Sequence, residues 1–324
     1  MGSIRRAVVT GGSGFIGGHL AERLAREGAE VVVFDVAPPP PEALNSGAVA
    51  YVKGDITDEA AVARVITPDV DTVFHMSAVV GVDRYLSRPL DVLDVNILGT
   101  RNVLRRALDT GARVIMASTS EVYGKNPAVP WAEDDDRVVG PTSAERWTYS
   151  SSKALAEHMA FALARGHGLR ASVVRYFNVY GPRQRPAYVV SRSIHRVLNG
   201  LPAEVYDSGH QTRCFTFIDD AVEGTLRVAA EPGAAGECFN IGGHRETTMA
   251  EAVGLVTRLA GADHPPRTLV TATALGDGYQ DIDRRVPDTA KALRILGWRA
   301  ETPLDEGIAR TIAWARAAPG WLAS

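Results

Sequence analysis

The sequence AVVTGGSGFIG at residues 7–17 decides how the rest of the chain is arranged. A short β-like run precedes the glycines, and a helical pattern over residues 19–28 follows them. Three glycines with this spacing, between a strand and a helix, allow a tight turn and a close backbone approach to a pyrophosphate at the helix N-terminus. The residues of this stretch that are predicted to hold a dinucleotide are Gly11, Gly14, Phe15, Ile16 and Gly17.

Acidic residues at the ends of the next two strands indicate which dinucleotide binds. Asp35 ends the apolar run 30–35 and lies 18 residues after the last glycine. A carboxylate at this position accepts hydrogen bonds from a ribose diol and repels a 2′-phosphate, which favours NAD over NADP. Asp55 and Ile56 follow the third strand and are expected on the adenine side of the cofactor.

Apolar runs that predict strands alternate with helical patterns over the first half of the chain. The predicted strands cover residues 7–10, 30–35, 50–52, 71–75, 114–117 and 171–178, and long helices are predicted at 89–110 and 149–166. Six alternating units with right-handed crossovers predict an α/β fold with a doubly wound parallel sheet of the Rossmann type.

The alternation becomes irregular after Gly181-Pro182, which predicts a smaller, mixed α/β domain for binding the substrate. We expect residues 1–180 to form the NAD-binding domain, with residues 215–242 returning to it. Residues 181–214 and 243–324 would form the second domain. A ligand between two such parts occupies a common location for binding sites.

Two further stretches supply the residues for chemistry: ASTSEVYG at 117–124 and YSSSK at 149–153. The first places Thr119, Ser120 and Glu121 where a strand gives way to a loop, which is where active sites lie in open α/β sheets. The second opens a helix on which Tyr149 and Lys153, four residues apart, share a face. Together they offer a phenol, an ammonium group to lower its pKa, hydroxyl groups and a carboxylate for acid–base work.

Composition restricts the partners. The apolar fraction of 45% is typical of a globular protein. The net charge of −3 gives the chain no general electrostatic attraction to nucleic acid or to an anionic membrane. The two cysteines, Cys214 and Cys238, form no CxxC pair and are expected to be reduced thiols in the cytoplasm. No long apolar span and no metal-ligand pattern is present in the sequence.

The joint pattern resembles the extended short-chain dehydrogenase/reductases that modify nucleotide sugars. The motifs that carry the resemblance are TGGSGFIG at 10–17, STSEVYG at 118–124, Tyr149-x-x-x-Lys153 and RYFNVYGPR at 175–183. The resemblance implies a nucleotide-sugar substrate, oxidation of the sugar at C4, and a homodimer formed through the helices at 89–110 and 149–166.

Within this family, three other stretches are similar to the UDP-glucuronate decarboxylases: residues 139–150, 211–216 and 278–285. By that resemblance Arg285 acts as an acid beside the substrate carboxylate. The remaining substrate-binding residues implied by the family pattern are Asn178, Arg183, Arg213 and Tyr279.

The expected chemistry begins with Tyr149 as base for the C4 hydroxyl, while the C4 hydrogen passes to NAD. A C4 ketone makes a C6 carboxylate a β-keto acid, so decarboxylation of UDP-glucuronate is the favoured interpretation. Two alternatives use the same ketone: a 4-epimerase, and a 4,6-dehydratase in which Glu121 removes the C5 proton. A non-catalytic NAD-binding regulator is the alternative from a different class.

Overall fold

The computed structural model describes residues 4–39, 48–81, 87–271, 273 and 280–324. Its strands are β1 (Arg6–Thr10), β2 (Glu30–Asp35), β3 (Val49–Lys53), β4 (Thr72–His75), β5 (Arg113–Thr119), β6 (Ala171–Tyr176), β7 (Val179–Tyr180), β8 (Glu204–Tyr206), β9 (Thr212–Cys214), β10 (Thr216–Phe217), β11 (Cys238–Ile241), β12 (Glu246–Thr248), β13 (Arg267–Leu269) and β14 (Arg284–Arg285).

The helices are α1 (Phe15–Arg26), α2 (Glu59–Val65), α3 (Pro89–Leu93), α4 (Thr100–Thr110), α5 (Thr148–His167), α6 (Val189–Leu198), α7 (Ile218–Ala230), α8 (Met249–Ala260), α9 (Ala290–Leu296), α10 (Leu304–Arg316) and α11 (Pro319–Leu322). Short 3₁₀ turns cover Ser120–Tyr123, Glu145–Trp147 and Pro232–Ala234. Within the described ranges, no helix combines the length and the apolar character needed to cross a membrane.

A seven-stranded parallel sheet forms the centre of the molecule, in the order β11-β6-β5-β4-β1-β2-β3. Every residue of β4 and β6 is buried, as expected for central strands covered on both faces. Apolar clusters lie on the two faces of the sheet. The predicted doubly wound α/β fold is confirmed, and the sheet brings the carboxyl ends of its strands to one edge.

The seventh strand, β11, pairs with β6 in parallel, and α7 precedes it in the chain. The later part of the chain adds a three-stranded sheet, β12-β9-β14, in which Arg285 of β14 pairs with Arg213 of β9. This pairing places Arg213 and Arg285, which are distant in sequence, next to each other on adjacent strands. The division of the chain into two domains stays a prediction.

The helix predicted at 89–110 is interrupted by a π-helical segment, Asp94–Gly99, between α3 and α4. Its wider turn accommodates the buried Asn96. The Asn96 side-chain oxygen accepts from the Val79 amide at 2.9 Å, and its nitrogen donates to Ser152 Oγ at 3.1 Å. Asn96 therefore ties the loop after β4 to the first turns of α5.

Candidate active site

The glycine-rich turn forms a cradle that has no room for side chains. Gly11 has a φ of +68°, and a Cβ there would lie 2.6 Å from the Ser77 backbone nitrogen. A Cβ on Gly17 would overlap the carbonyl oxygen of Gly11. The N-cap residue of α1 is Gly14, which has no side chain to accept hydrogen bonds from the first amides of the helix. The backbone amides of Phe15 and Ile16 therefore face the glycine-rich turn. Such amides fit the pyrophosphate of a dinucleotide.

The predicted ribose-binding residue, Asp35, lies beside this cradle. Its carboxylate accepts hydrogen bonds from the amides of Ser13, at 3.1 Å, and Ala37, at 3.2 Å. Asp55 is exposed at the end of β3, and Ile56 is buried against Gly99. The structure thus places the predicted cofactor residues at the carboxyl ends of β1, β2 and β3, as a dinucleotide site requires.

Tyr149 and Lys153 lie on the first turns of α5 and are buried. Thr119, at the end of β5, lies close to the Tyr149 phenol. Burial, followed by the Glu121 carboxylate, raises the pKa of Tyr149 well above its ordinary value, and the Thr119 side chain acts in the opposite direction. Burial lowers the pKa of Lys153 to about 8, while Glu157 on the same helix raises it. The predicted lowering of the phenol pKa is not found in the protein itself, because burial raises that pKa and Lys153 is not among the groups that shift it.

Glu121 lies next to this pair and binds two guanidinium groups. Its Oε2 accepts from Arg146 Nη1 at 2.5 Å, and its Oε1 accepts from Arg285 Nη1 at 3.2 Å. Despite burial, which acts in the opposite direction, the two arginines lower the pKa of Glu121 to about 2. Ser120 is buried beside it. Glu121 is therefore a permanent carboxylate at neutral pH.

The predicted substrate residues fall into three groups. Asn178, with a φ of +42°, donates to the Cys214 carbonyl, and so lies beside Arg213. Arg213 is paired with Asp281 at 3.1 Å and adjoins Arg285 across β9 and β14. Arg183 forms an ion pair with Glu22 of α1 and lines a cavity together with the glycine-rich turn. Tyr279 lies outside the described residues.

Sequence reasoning did not select Arg146 or Gln280 as site residues. Arg146 lies in the 3₁₀ turn before α5, three residues before Tyr149. Its Nε donates to the Gln280 carbonyl at 3.3 Å, and the Gln280 side chain accepts from Trp147 Nε1 at 3.2 Å. The only feature of the sequence that pointed to Arg146 as a site residue is its position just before Tyr149. That position does not predict the contacts with Glu121 and Gln280.

His75 is fully buried at the end of β4. Its ring nitrogens are 2.8 Å from Thr10 Oγ1 and 2.9 Å from Thr100 Oγ1. Burial lowers its pKa to about 3, so the ring is neutral at physiological pH. Its hydrogen bonds join β1, β4 and α4 behind the glycine-rich turn.

A Rossmann-type sheet with a dinucleotide cradle, and a buried tyrosine and lysine four residues apart on a helix beside it, defines a short-chain dehydrogenase/reductase fold and site. The chain belongs to the NAD dependent epimerase/dehydratase family, whose model matches residues 7–242. The cradle and the Asp35 carboxylate fit the NAD that this family name specifies.

Named relatives cover nearly the whole chain. A UDP-N-acetyl-alpha-D-glucosaminuronate decarboxylase of Bacillus cytotoxicus is 35% identical over 318 residues, 96% of this chain and 98% of the relative. UDP-glucuronic acid decarboxylase 1 of Xenopus tropicalis is 33% identical over 320 residues, 96% of this chain and 72% of the relative. The solved structure of MoeE5 in complex with UDP-glucuronic acid and NAD superposes with a TM-score of 0.85 at 32% identity, covering 97% of this chain and 99% of MoeE5.

The Asp35 carboxylate leads to a prediction about cofactor choice. Replacing Asp35 by alanine is expected to weaken NAD binding about tenfold or more, since a hydrogen bond to a charged group contributes about 1.5–3 kcal/mol. NADP binding should weaken less or improve, because the charge that repels its 2′-phosphate is gone. Titration of both cofactors measures the ratio. Glu30→Ala, an exposed acid at the other end of β2, is the matched control and should leave both affinities unchanged. An unchanged ratio in Asp35→Ala would contradict the assignment.

Proposed function

We propose that this protein catalyses NAD-dependent decarboxylation of a nucleotide-linked uronic acid, with UDP-glucuronate as the first substrate to test. The proposal rests on one observation: two groups of residues lie next to each other at the end of β5. Thr119 and Tyr149 offer a site for oxidising an alcohol, and Arg285, held on Glu121, offers a cation beside it. The names of the relatives, two of which act on uronic acids bound to UDP, support the same substrate class.

The residues act on the proton of the sugar C4 hydroxyl. The amides at the start of α1 and the Asp35 carboxylate would hold NAD⁺, which would supply a hydride acceptor for C4 and a positive charge. Tyr149 accepts the hydroxyl proton, and Thr119 holds the same oxygen. Because burial raises the pKa of Tyr149, the phenol is a base only when positive charge lies close to it, which Lys153 also supplies in its protonated form.

The C4 ketone makes the C6 carboxylate a β-keto acid, and carbon dioxide leaves with the bonding electrons delocalised onto the C4 oxygen. Thr119 and Tyr149 stand where that oxygen gains charge. Arg285 would then deliver the proton to C5, and Ser120 and Glu121 would position the substrate or a water molecule. Return of the hydride to C4, with the proton given back to its oxygen by Tyr149, would regenerate the cofactor and leave a pentose. Asn178, Arg213, Arg183 and Tyr279 are the proposed nucleotide-binding residues.

The protonation state of Glu121 bears on the dehydratase alternative. That reaction needs a base for the C5 proton, and a base works best when its pKa lies near the operating pH. Two arginines hold the pKa of Glu121 near 2, which makes it a weak base. This observation favours decarboxylation over dehydration, while epimerisation needs no base at that position.

Product analysis tests the proposal directly. Purified protein is incubated with NAD and, in separate reactions, with UDP-glucuronate and UDP-N-acetylglucosaminuronate, and the products are weighed by mass spectrometry. A loss of about 44 Da, the mass of carbon dioxide, is expected for at least one substrate. A loss of about 18 Da would indicate dehydration, and an unchanged mass with altered retention would indicate epimerisation; either result would contradict the proposal.

We also propose a homodimer formed through α5 and the helical stretch from α3 to α4. Several large apolar side chains on these helices are exposed in the single chain: Leu90 at 71%, Leu98 at 46% and Leu155 at 44%. Burying apolar groups of this size against a second copy stabilises association. A cytoplasmic location is proposed because both cysteines are free and buried, as is usual for proteins in a reducing compartment.

A further inference from the structure

Arg285 enters the site on a short strand that is held from two sides. On one side, β14 pairs with β9. On the other side, the chain just after Arg285 bonds the backbone of Trp131. The Trp131 amide donates to the Val286 carbonyl, and the Asp288 amide donates to the Trp131 carbonyl, both at 2.8 Å. The place of Arg285 therefore depends on where Trp131 lies.

Trp131 belongs to the loop 124–138 and is itself fixed by two other side chains. Its ring stacks on the Tyr123 ring, with 5.0 Å between the ring centroids and 24° between the planes. Its carbonyl oxygen also accepts from the side-chain amide of Asn240 at 2.8 Å. All three residues are fully buried. Moving any one of them would open a gap or leave a buried polar group unpaired, so these contacts hold Trp131 in one place.

Asn240, at the end of β11, is the centre of this arrangement. Its Oδ1 accepts from the Tyr123 hydroxyl at 2.8 Å, and its Nδ2 donates to the Asp288 carbonyl at 3.1 Å as well as to the Trp131 carbonyl. Arg175 of β6 donates through Nη1 to the same Tyr123 oxygen at 2.8 Å. The central sheet, through β6 and β11, thus holds both Trp131 and the chain that follows β14.

Tyr123 connects this arrangement to the reacting centre. It ends the 3₁₀ turn that also contains Glu121, and Glu121 accepts from Arg285 Nη1 at 3.2 Å. The turn follows directly on Thr119, which is proposed to hold the C4 oxygen of the sugar. Arg285 is therefore located relative to the sugar by two routes: its own ion pair, and the buried contacts of the chain that follows it.

We infer that Tyr123, Asn240 and Trp131 act together as positioning residues that decide from which side Arg285 delivers its proton to C5. The inference rests on the proposed function and adds a stereochemical requirement to it. Carbon dioxide leaves as the C5–C6 bond breaks and its electron pair moves onto the C4 oxygen. The pair returns to C5 in a new bond to the proton from Arg285, and Arg285 recovers a proton from solvent. C5 becomes a CH₂ group whose two hydrogens are not equivalent in the ring.

A proton donor that stays in one place serves one face of C5, and a displacement of about 1 Å can cost about a hundredfold in rate. Tyr123→Phe keeps the stacked ring but removes the hydroxyl that Asn240 and Arg175 bind. Asn240→Asp keeps the shape of the side chain but turns an oxygen toward the two carbonyls that Nδ2 binds, which repels them. Both changes loosen the chain after Arg285, so that solvent can protonate the opposite face.

The experiment is turnover of UDP-glucuronate with NAD in D₂O, followed by proton NMR of the C5 hydrogens of the product. Wild-type protein is expected to place deuterium in one of the two C5 positions. For Tyr123→Phe and Asn240→Asp we expect a ratio between the two positions of about ten to one or lower, which corresponds to a face preference of at most about 1.4 kcal/mol.

Tyr180→Phe is the matched control. It also removes a hydroxyl from a buried ring, but that hydroxyl donates to the Leu304 carbonyl at 3.3 Å, next to α10. This variant should keep the deuterium in one position. A purely structural role for Tyr123 and Asn240 would lower stability and turnover but leave the label in one position, because the product would come from the correctly arranged fraction of the protein.

Three outcomes would overturn the inference: deuterium in a single position in both variants, deuterium in both positions of the wild-type product, or as large a mixture in Tyr180→Phe as in Tyr123→Phe. If only one of the two variants can be purified, it decides by itself. The proposed function fails separately, since a wild-type product that has not lost about 44 Da contradicts that function and the inference with it. The expected mass with label in a single position throughout contradicts the inference alone.

Discussion

Replacing Tyr149 by phenylalanine is expected to lower the turnover number about 10²–10⁴-fold, the usual contribution of a general base. The substitution removes one oxygen from a buried ring, whose packing against Val92 remains. NAD and the sugar nucleotide should therefore still bind with nearly unchanged affinity. Single-turnover measurement of NADH absorbance and titration of both ligands separate the chemical step from binding.

Tyr176→Phe is the matched control. Tyr176 is also buried, and it pairs in register with Thr119 across β5 and β6, but its hydroxyl bonds Thr225 of α7 at 2.7 Å. This variant should lose stability of about 0.5–1.5 kcal/mol, as expected for one hydrogen bond, and keep its turnover. Full activity in Tyr149→Phe would show that the phenol is not the base. Wild-type protein that binds NAD but turns over no nucleotide sugar would favour the regulator alternative.

The parts of the fold that sequence could predict are those set by local pattern. The glycine spacing predicts the turn after β1 because only residues without a Cβ fit there, as the close approach of Gly11 to Ser77 shows. The position of Thr119 at the end of β5 follows from the apolar run before it. Tyr149 and Lys153 share a face because four residues make about one helical turn.

The parts that sequence could not predict depend on contacts between distant residues. Glu121 and Arg285 are 164 positions apart, so nothing local to either residue indicates their ion pair. Arg183 and Glu22 are 161 positions apart, so the pairing that draws Arg183 to α1 leaves no local signal. Neither pairing follows from the spacing of either residue's neighbours.

The pKa of Tyr149 shows a related difference. The four-residue spacing to Lys153 predicts a lowered pKa because it considers one pair of charges. Burial is a property of the whole fold, and it raises the pKa of Tyr149. Likewise, the helical periodicity of residues 89–110 does not show the π-helical segment, within which Asn96 bonds the distant residues Val79 and Ser152.

Replacing Gly17 by alanine is expected to abolish tight NAD binding. The added Cβ would overlap the carbonyl oxygen of Gly11, which is backbone and cannot rotate away as a side chain could. The turn must shift, so the amides at the start of α1 no longer converge on the pyrophosphate. Loss of one or two charge-assisted hydrogen bonds, about 1.5–3 kcal/mol each, weakens NAD binding by between about tenfold and about 10⁴-fold.

Gly18→Ala is the matched control, one residue further along the same helix. A Cβ at Gly18 would lie 3.4 Å from the Gly12 carbonyl oxygen, which is an ordinary contact. This variant should bind NAD as the wild-type protein does and gain stability, since alanine is favoured over glycine in a helix by about 1 kcal/mol. Calorimetric titration with NAD and thermal unfolding without it measure the two effects separately. Equal NAD affinity in Gly17→Ala and Gly18→Ala would mean that the cofactor does not approach the backbone at this turn, because the two substitutions differ only in which carbonyl the new methyl group faces.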